Sequence, residues 1–215
     1  NKVLHFQLAY CERGRHSDAP RLQGLELVGL FRISASSSVV EYYKSQYDQG
    51  VDVGFANCND PHIAANLLKM YFRELPEPLF TFELYDAFIA IGMLSLFARS
   101  LLLVDLIVTT DLLLLVYRPT FGSDYSDRIA AVLSQLPEIN YAIAKVLLQF
   151  LSRVADKEPI NKMGAANLAT VFGPNLLRRP DSEINASAVQ DYAIINSITQ
   201  TLIEQSENIL LVRCA

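Results

Sequence analysis

The chain has 215 residues, 51% of them hydrophobic and 19% charged, which is enough for one well-packed domain and short for two. Its net charge of -5 and pI near 5.2 exclude the global positive field that nucleic-acid binding needs. The cysteines are odd in number and far apart, so neither a disulfide framework nor a metal site is expected. Lys2 precedes too short an apolar run for a signal peptide, and the start is not Met. We therefore expect a cytoplasmic protein and a piece of a larger multidomain one.

The hydrophobic periodicity is helical nearly throughout, without a clear period-2 strand series. A first helix is predicted over residues 3–12, and residues 13–28 are polar and irregular. Ser38 and Glu41 form a capping-box pattern, which predicts that the next helix starts at Ser38 and stops at Gly50.

Asp60 and Pro61 predict a further helix start, because an N-cap residue is followed by proline at the first helical position. This helix is predicted to run to about Leu75 and to end at the prolines that follow. Thr81 is predicted to cap another helix that reaches about Ala90.

Later helices are predicted over residues 124–136, 140–156, 161–172 and 187–209. The second of them has an apolar face that consists of Ile143, Leu147, Phe150, Leu151 and Val154. The third is predicted to stop at Gly173 and Pro174. Together these patterns predict an all-α fold, a single helical bundle of seven to nine helices.

Arg32 is a candidate functional residue, since it follows a short apolar turn that begins at Gly29 and precedes small hydroxyl residues. Such a turn can hold an arginine outward on a defined loop. The planar donor fork of arginine matches phosphate oxygens, so Arg32 is suited to reach into a phosphate site of a partner. The alternative is an ordinary solvated arginine.

Four polar residues of the helix from Asp60 are spaced 4, 3 and 4 apart and form one stripe: His62, Asn66, Lys69 and Arg73. This stripe is either a solvated face or a small cationic surface for an anionic partner. Asn175 follows the apolar helix end at Gly173, where its amide could stabilise the turn locally or contact a partner.

Three stretches, residues 24–34, 67–79 and 161–177, together resemble the GTPase-activating domain of the Rho family activators, the RhoGAP domain. Their order and approximate spacing agree with that family. The resemblance covers most of residues 22–90 and 126–209. It implies an all-helical bundle that binds the GTP-bound form of a Rho-family small GTPase, of the Rho, Rac or Cdc42 type, and accelerates GTP hydrolysis.

The resemblance also implies roles for individual residues. Arg32 looks like the arginine finger. Lys69 and Arg73 look like the helix residues that support the finger loop and the GTPase contact. Asn175 looks like the family's asparagine near the GTPase switch surface. Ala35 departs from the glycine that often follows the finger, which could stiffen the loop.

The resemblance implies that the domain acts in trans and is not itself the hydrolytic enzyme. GTP, magnesium and the attacking water would belong to the partner GTPase, so no cofactor of its own is expected. Two alternatives are a non-catalytic binding module of the same fold and an independent helical enzyme. The second lacks support, because no Ser/His/Asp set or Gly-rich phosphate loop is present.

Residues 92–116 do not share the resemblance, because they form an apolar run with only three charged residues. A membrane span is not expected here, since it would place Arg32 and Asn175 on opposite sides of a bilayer. Three interpretations remain: helices docked on the bundle, an insertion without an evolved role, or a membrane-surface or partner-binding element. We therefore expect one RhoGAP-like domain over residues 1–215 with an atypical insertion at about residues 92–120.

Overall fold

The computed structural model describes residues 24–51, 60, 62–104, 123–180, 182 and 187–211. These residues form a short 3-10 turn, Gly24–Glu26, and nine α-helices. The helices are α1 Ser37–Asp48, α2 His62–Arg73, α3 Tyr85–Val104, α4 Ser123–Leu133, α5 Glu138–Ala155, α6 Glu158–Asn161, α7 Ala165–Leu176, α8 Ser187–Glu204 and α9 Ser206–Leu211. The described part contains no strand, so the predicted all-α bundle is confirmed. The predicted helix over residues 3–12 lies outside the described residues.

The core of the bundle is a single apolar cluster with several aromatic rings. Its fully buried aromatic residues are Phe31, Phe72, Phe80, Phe88, Phe150 and Phe172. The predicted apolar face of α5 is confirmed. Four of its five residues are completely buried, and Ile143 packs against the cluster as a partly buried residue. This burial, more than intrinsic helix propensity, stabilises the helices.

The start of α2 agrees with the sequence. Asp60 Oδ1 accepts a hydrogen bond of 2.9 Å from the backbone N–H of His62, as expected of an N-cap carboxylate. The capping box proposed for α1 is wrong. The N-cap of α1 is Ser36, and its side chain makes no capping bond. The Ser36 hydroxyl instead lies 3.1 Å from the hydroxyl of Ser38.

The predicted helix start at Thr81 is also wrong, because α3 begins at Tyr85. Thr81 is buried and has a left-handed φ of 57°. Its N–H donates to the carbonyl of Pro78 at 2.9 Å and closes a turn. An N-cap residue has an extended backbone, so this conformation is incompatible with capping.

The helix α3 also runs beyond the predicted end at Ala90 and contains residues 92–104 of the apolar insertion. Gly92 permits a close approach to α8, since a Cβ built there would lie 2.3 Å from Cγ2 of Ile194. The first part of the insertion is therefore helical and packs against α8 at Gly92, and residues 105–122 lie outside the described residues. Among the described residues, no helix is long and apolar enough to cross a membrane.

The predicted helix over residues 161–172 is two helices. Asn161 ends α6, Lys162 follows with a left-handed φ of 61°, and α7 begins at Ala165. The predicted stop at Gly173 and Pro174 is wrong, since both residues lie inside α7. The tight packing of Gly173 against α8 explains the glycine, because an added Cβ would lie 3.1 Å from atoms of three α8 side chains.

The predicted helix over residues 187–209 is divided at Gln205 into α8 and α9. Gln205 Oε1 accepts a hydrogen bond from the Ser126 hydroxyl of α4 at this break. The interruption therefore coincides with a tertiary contact that the local pattern does not reveal.

Two arginines after α7 connect the ends of several helices. Arg178 donates to the carbonyl of Leu75, beyond the end of α2, at 2.6 Å. The Arg179 guanidinium lies 4.5 Å from the ring centroid of Tyr85 and 3.6 Å from Asp191 Oδ2 of α8. Burial and the hydrogen bond to Asp191 raise the pKa of Tyr85 to about 12. These contacts fix the C-terminal end of α7 relative to α2, α3 and α8.

Candidate functional site

The loop that carries Arg32 has an unusual backbone. Gly29 and Phe31 both have a left-handed φ of 70°, a conformation that disfavours a bulky residue such as Phe31. The N–H groups of Arg32 and Ile33 both donate to the carbonyl of Gly29, at 2.8 and 2.9 Å, and close a tight turn. This turn directs successive side chains to different environments. Phe31 is completely buried, whereas Arg32 is exposed.

The ring of Phe31 anchors the loop in the core. It makes edge-to-face contacts with Phe172 of α7 at 4.9 Å and with Phe150 of α5 at 6.0 Å between ring centroids. Such pairs add about 0.5–1.5 kcal/mol to the burial of the rings. The buried ring therefore compensates for the strained backbone of Phe31 and holds the position of its neighbour Arg32.

Side chains of α2 hold the loop from one side. Lys69 Nζ donates to the carbonyl of Phe31 at 2.6 Å, and Asn66 Nδ2 donates to the carbonyl of Ile33 at 3.2 Å. The predicted stripe of α2 thus faces the Arg32 loop. Two of its members bind the carbonyls that flank Arg32.

The ammonium group of Lys69 is partly removed from water. Burial lowers the pKa of Lys69 below its usual value, and the charge of Arg73 one turn away lowers it further. Arg73 remains largely exposed, with 64% of its side chain accessible, and lies 3.6 Å from Glu74 Oε1. The two cations on this face of α2 therefore have different environments.

A cavity of about 490 Å³ lies beside the loop. Ala35 of the loop, Glu41 of α1, Lys69 and Arg73 of α2, and Asn175 of α7 all line it. Three of the four predicted site residues thus share one cavity. Arg32 is not among the lining residues and lies on the loop at its edge.

The sequence predicted that Asn175 follows the end of the helix, but Asn175 lies in the last turn of α7. Its Nδ2 donates to the carbonyl of Val171, four residues earlier, at 2.9 Å. This bond supports the local role that the sequence left open, and it fixes the amide at the wall of the cavity. Pro174 lacks an N–H, but the helix still continues through Leu176.

Ala35 occupies a position where a glycine is not required. It does not belong to the residues with positive φ, and its side chain packs against the core as a partly buried residue. Alanine can adopt such a backbone without strain. The departure from glycine is therefore compatible with the conformation of the loop.

Sequence reasoning assigned no role to Asn161, although the structure places it at the base of the loop. Its backbone carbonyl accepts a hydrogen bond from the N–H of Gly29 at 2.7 Å. Its side chain is completely buried and binds the carbonyl of Leu25, 136 residues away, at 2.8 Å. The residues next to Asn161 in the sequence give no signal for a contact with a residue so far away.

Within the described ranges, no group of three His, Cys, Asp or Glu side chains is placed so that it could hold a metal ion. The polar side chains that line the cavity are instead two cations, two amides, two serine hydroxyls and one carboxylate, that of Glu41.

The model of the RhoGAP domain family matches residues 20–181. The chain belongs to the RhoGAP domain family. The match includes the Arg32 loop, both cationic residues of α2 and Asn175. The RhoGAP resemblance and the corresponding helical fold that the sequence predicted are therefore confirmed.

Individual relatives agree with this assignment. The chain is 36% identical over 195 residues to Rho GTPase-activating protein gacJJ of Dictyostelium discoideum, covering 87% of this chain and 19% of the relative. It is 35% identical over 179 residues to human Rho GTPase-activating protein 1, covering 82% of this chain and 34% of the relative. The chain thus spans about a fifth to a third of the length of these curated relatives.

Two crystal structures have a similar fold. The BH domain from GRAF, the GTPase regulator associated with focal adhesion kinase, superposes with a TM-score of 0.70 at 24% identity, over 97% of this chain and 92% of that chain. Human Rho GTPase activating protein 15 superposes with a TM-score of 0.71 at 23% identity, over 96% of this chain and 82% of that chain. At these identities the likeness shows the fold.

Lys69→Met is expected to destabilise the protein by about 1 kcal/mol near neutral pH, because the carbonyl of Phe31 loses its donor. The loss should grow as pH rises. Since the folded-state pKa of Lys69 lies below 10.5, the unfolded chain binds more protons between the folded pKa and 10.5. The part of this contribution that depends on the protonation of Lys69 is therefore fully present above pH 10.5 and is lost as pH falls to the folded pKa, whereas the part from the hydrogen bond to Phe31 remains at neutral pH.

Urea unfolding of the wild type and of Lys69→Met at several pH values between 8 and 11 would measure this difference. Lys145→Met is a matched control, because Lys145 lies on α5 and does not line the cavity. A stability difference between wild type and Lys69→Met that stays flat or shrinks with rising pH would contradict the assigned environment of Lys69.

Proposed function

We propose that residues 1–215 form one domain that binds a GTP-loaded Rho-type small GTPase and stimulates its GTP hydrolysis. The family membership supports the role of a Rho GTPase activator. The observation that carries the catalytic part is the exposed Arg32 on a rigidly held turn. A mobile surface arginine would need no strained turn, buried anchor or dedicated lysine to hold it.

Arg32 is the proposed arginine finger. Phosphoryl transfer to water spreads negative charge over the transferred and leaving oxygens, and an arginine supplied in trans neutralises that charge. Such a finger accelerates hydrolysis by about 10³–10⁵, which corresponds to about 4–7 kcal/mol of the barrier. GTP, magnesium and the attacking water are carried by the GTPase, so the domain itself needs no cofactor.

The other three predicted residues have distinct proposed roles. Lys69 supports the finger indirectly, since it binds the carbonyl of the residue before Arg32. Arg73 is exposed at the cavity and contacts acidic or polar groups of the GTPase. Asn175 presents an amide from α7 to the switch surface of the GTPase across the same cavity.

The test is a hydrolysis panel with GTP-loaded Rho-, Rac- and Cdc42-like GTPases, each with catalytic amounts of the domain. Multiple-turnover acceleration of at least one of them is expected, relative to the same GTPase alone. Tight binding to the GTP-bound form without acceleration would overturn the catalytic proposal and indicate a binding module of the same fold.

The panel should include a variant in which a short Gly/Ser linker replaces residues 105–122. This variant leaves α3 complete, including Gly92 and its contact with α8. Equal activity of the two proteins is expected, because the variant retains all the described residues that line the cavity and hold the Arg32 loop.

A further inference from the structure

The contacts of Asn161 are more numerous than those of an ordinary helix end. Its Nδ2 donates to the carbonyls of Leu25 and Val154, both at 2.8 Å. Its Oδ1 accepts the N–H of Met163 at 2.7 Å, and its backbone carbonyl accepts the N–H of Gly29, also at 2.7 Å. With no part of the residue exposed, these four bonds form in a low-dielectric environment, where an unpaired polar group is costly.

These bonds join three separate parts of the chain. Val154 lies in the last turn of α5, Met163 leads into α7, and Leu25 and Gly29 flank the start of the Arg32 loop. The side-chain bonds of Asn161 therefore hold its backbone carbonyl in place beside the loop. That carbonyl in turn holds the N–H of Gly29, whose carbonyl closes the turn at Arg32.

A residue with a strained backbone lies near each end of the hydrogen bond between Gly29 and Asn161. Lys162, next to Asn161, has a φ of 61°, and Phe31, next to Arg32, has a φ of 70°. Left-handed non-glycine residues persist only where surrounding contacts hold them, at a cost of about 1–3 kcal/mol each. A residue that serves only to end α6 would not need this arrangement on the loop as well.

We infer that Asn161 is a positioning residue for Arg32, an inference that rests on the proposed function. It holds the base of the turn, while Lys69 holds its top through the carbonyl of Phe31. Asn161 is completely buried and does not line the cavity, so its proposed effect on hydrolysis is indirect, through the position of Arg32. Its loss lets the turn shift, so that the guanidinium no longer reaches the transferred phosphoryl group in the reactive geometry.

The test is a double-mutant cycle with Asn161→Ala and Arg32→Ala. The maximal rate of GTP hydrolysis is measured at saturating amounts of the domain, together with the dissociation constant for the GTPase with a non-hydrolysable GTP analogue. In the protein that retains Arg32, Asn161→Ala is expected to lower the maximal rate by about 10²-fold, as misplacement of a catalytic group by about 1 Å does. In the Arg32→Ala background it should lower the maximal rate no further.

Asn208→Ala is the matched control, because Asn208 is an exposed asparagine of α9 that does not line the cavity. Its maximal rate should equal that of the wild type. An equal loss of rate from Asn161→Ala in both backgrounds would overturn the inference, since it would indicate a general effect on folding. An unchanged rate in folded Asn161→Ala would also overturn it.

Hydrogen exchange of the unaltered protein supplies a measurement that needs no variant to fold. The amide of Gly29 should exchange at least 10²-fold more slowly than in an unstructured peptide, and exchange at the peptide rate would overturn the inference. If Arg32→Ala stimulates GTP hydrolysis as strongly as the wild type, the proposed catalytic function itself is contradicted. A loss of rate in Arg32→Ala without any effect of Asn161→Ala overturns only the role of Asn161.

Discussion

Arg32→Ala is expected to lower the maximal stimulated rate of GTP hydrolysis by about 10³–10⁵ while GTPase binding is retained. The side chain of Arg32 is exposed, so its removal disturbs little within the domain. The stability of the variant should stay within about 0.5 kcal/mol of the wild type, as for surface substitutions in general. Single-turnover hydrolysis and binding to the GTPase with a non-hydrolysable analogue measure the two effects separately.

Two controls sharpen the interpretation of Arg32→Ala. Arg32→Lys keeps the charge without the planar fork, and only a small part of the rate should return. Arg128→Ala removes an exposed arginine of α4, a helix that does not line the cavity, and full stimulation is expected. Wild-type stimulation by Arg32→Ala would refute the finger assignment. A loss of binding with an unchanged maximal rate would instead indicate a docking role.

Phe31→Ala is expected to destabilise the protein by about 3–5 kcal/mol, as is usual for a large ring removed from a packed core. The ring is completely buried and contacts Phe150 and Phe172 edge to face. Alanine has the same steric difficulty with the φ of 70°, so the strain remains while the anchor is lost. Urea unfolding followed by circular dichroism would measure the change in the free energy of unfolding.

Ile139→Ala is the matched control for Phe31→Ala, because Ile139 is a large apolar residue that is 74% exposed. Its effect on stability should stay below about 0.5 kcal/mol. Phe31→Leu should have an intermediate effect, since it keeps part of the buried volume but no aromatic contact. A change below about 1 kcal/mol in Phe31→Ala would show that the ring does not anchor the loop.

Some elements were predictable because their signals are local. The carboxylate of Asp60 binds an N–H two residues away, and the apolar face of α5 follows from helical periodicity. Two local signals were misleading because tertiary packing overrode them: Thr81 forms a buried turn, and Gly173 lies where α7 packs against α8. The capping box at Ser38 failed for a local reason, since the Ser38 hydroxyl lies next to the hydroxyl of Ser36.

Some site residues were likewise predictable from the sequence, and one was not. Arg32, Lys69, Arg73 and Asn175 were identified as candidates through their family motifs, and the structure places the last three around one cavity. Their proposed roles remain predictions for the experiments described above. Asn161 lay within a recognised motif, but its proposed role rests on its contacts, two of which join it to Leu25 and Gly29 in a distant part of the sequence.

Hydrophobic periodicity was sufficient for the helical class, and the resemblance of three ordered motifs to the RhoGAP family was sufficient for the family and for the candidate arginine of the loop. The fixed position of that arginine depends on the tertiary structure. Its turn is held by the buried ring of Phe31, the ammonium group of Lys69 and the carbonyl of Asn161, which come from distant parts of the chain. Hydrogen bonds and ring contacts between such distant residues leave no periodic signal, because they arise only when the bundle is assembled.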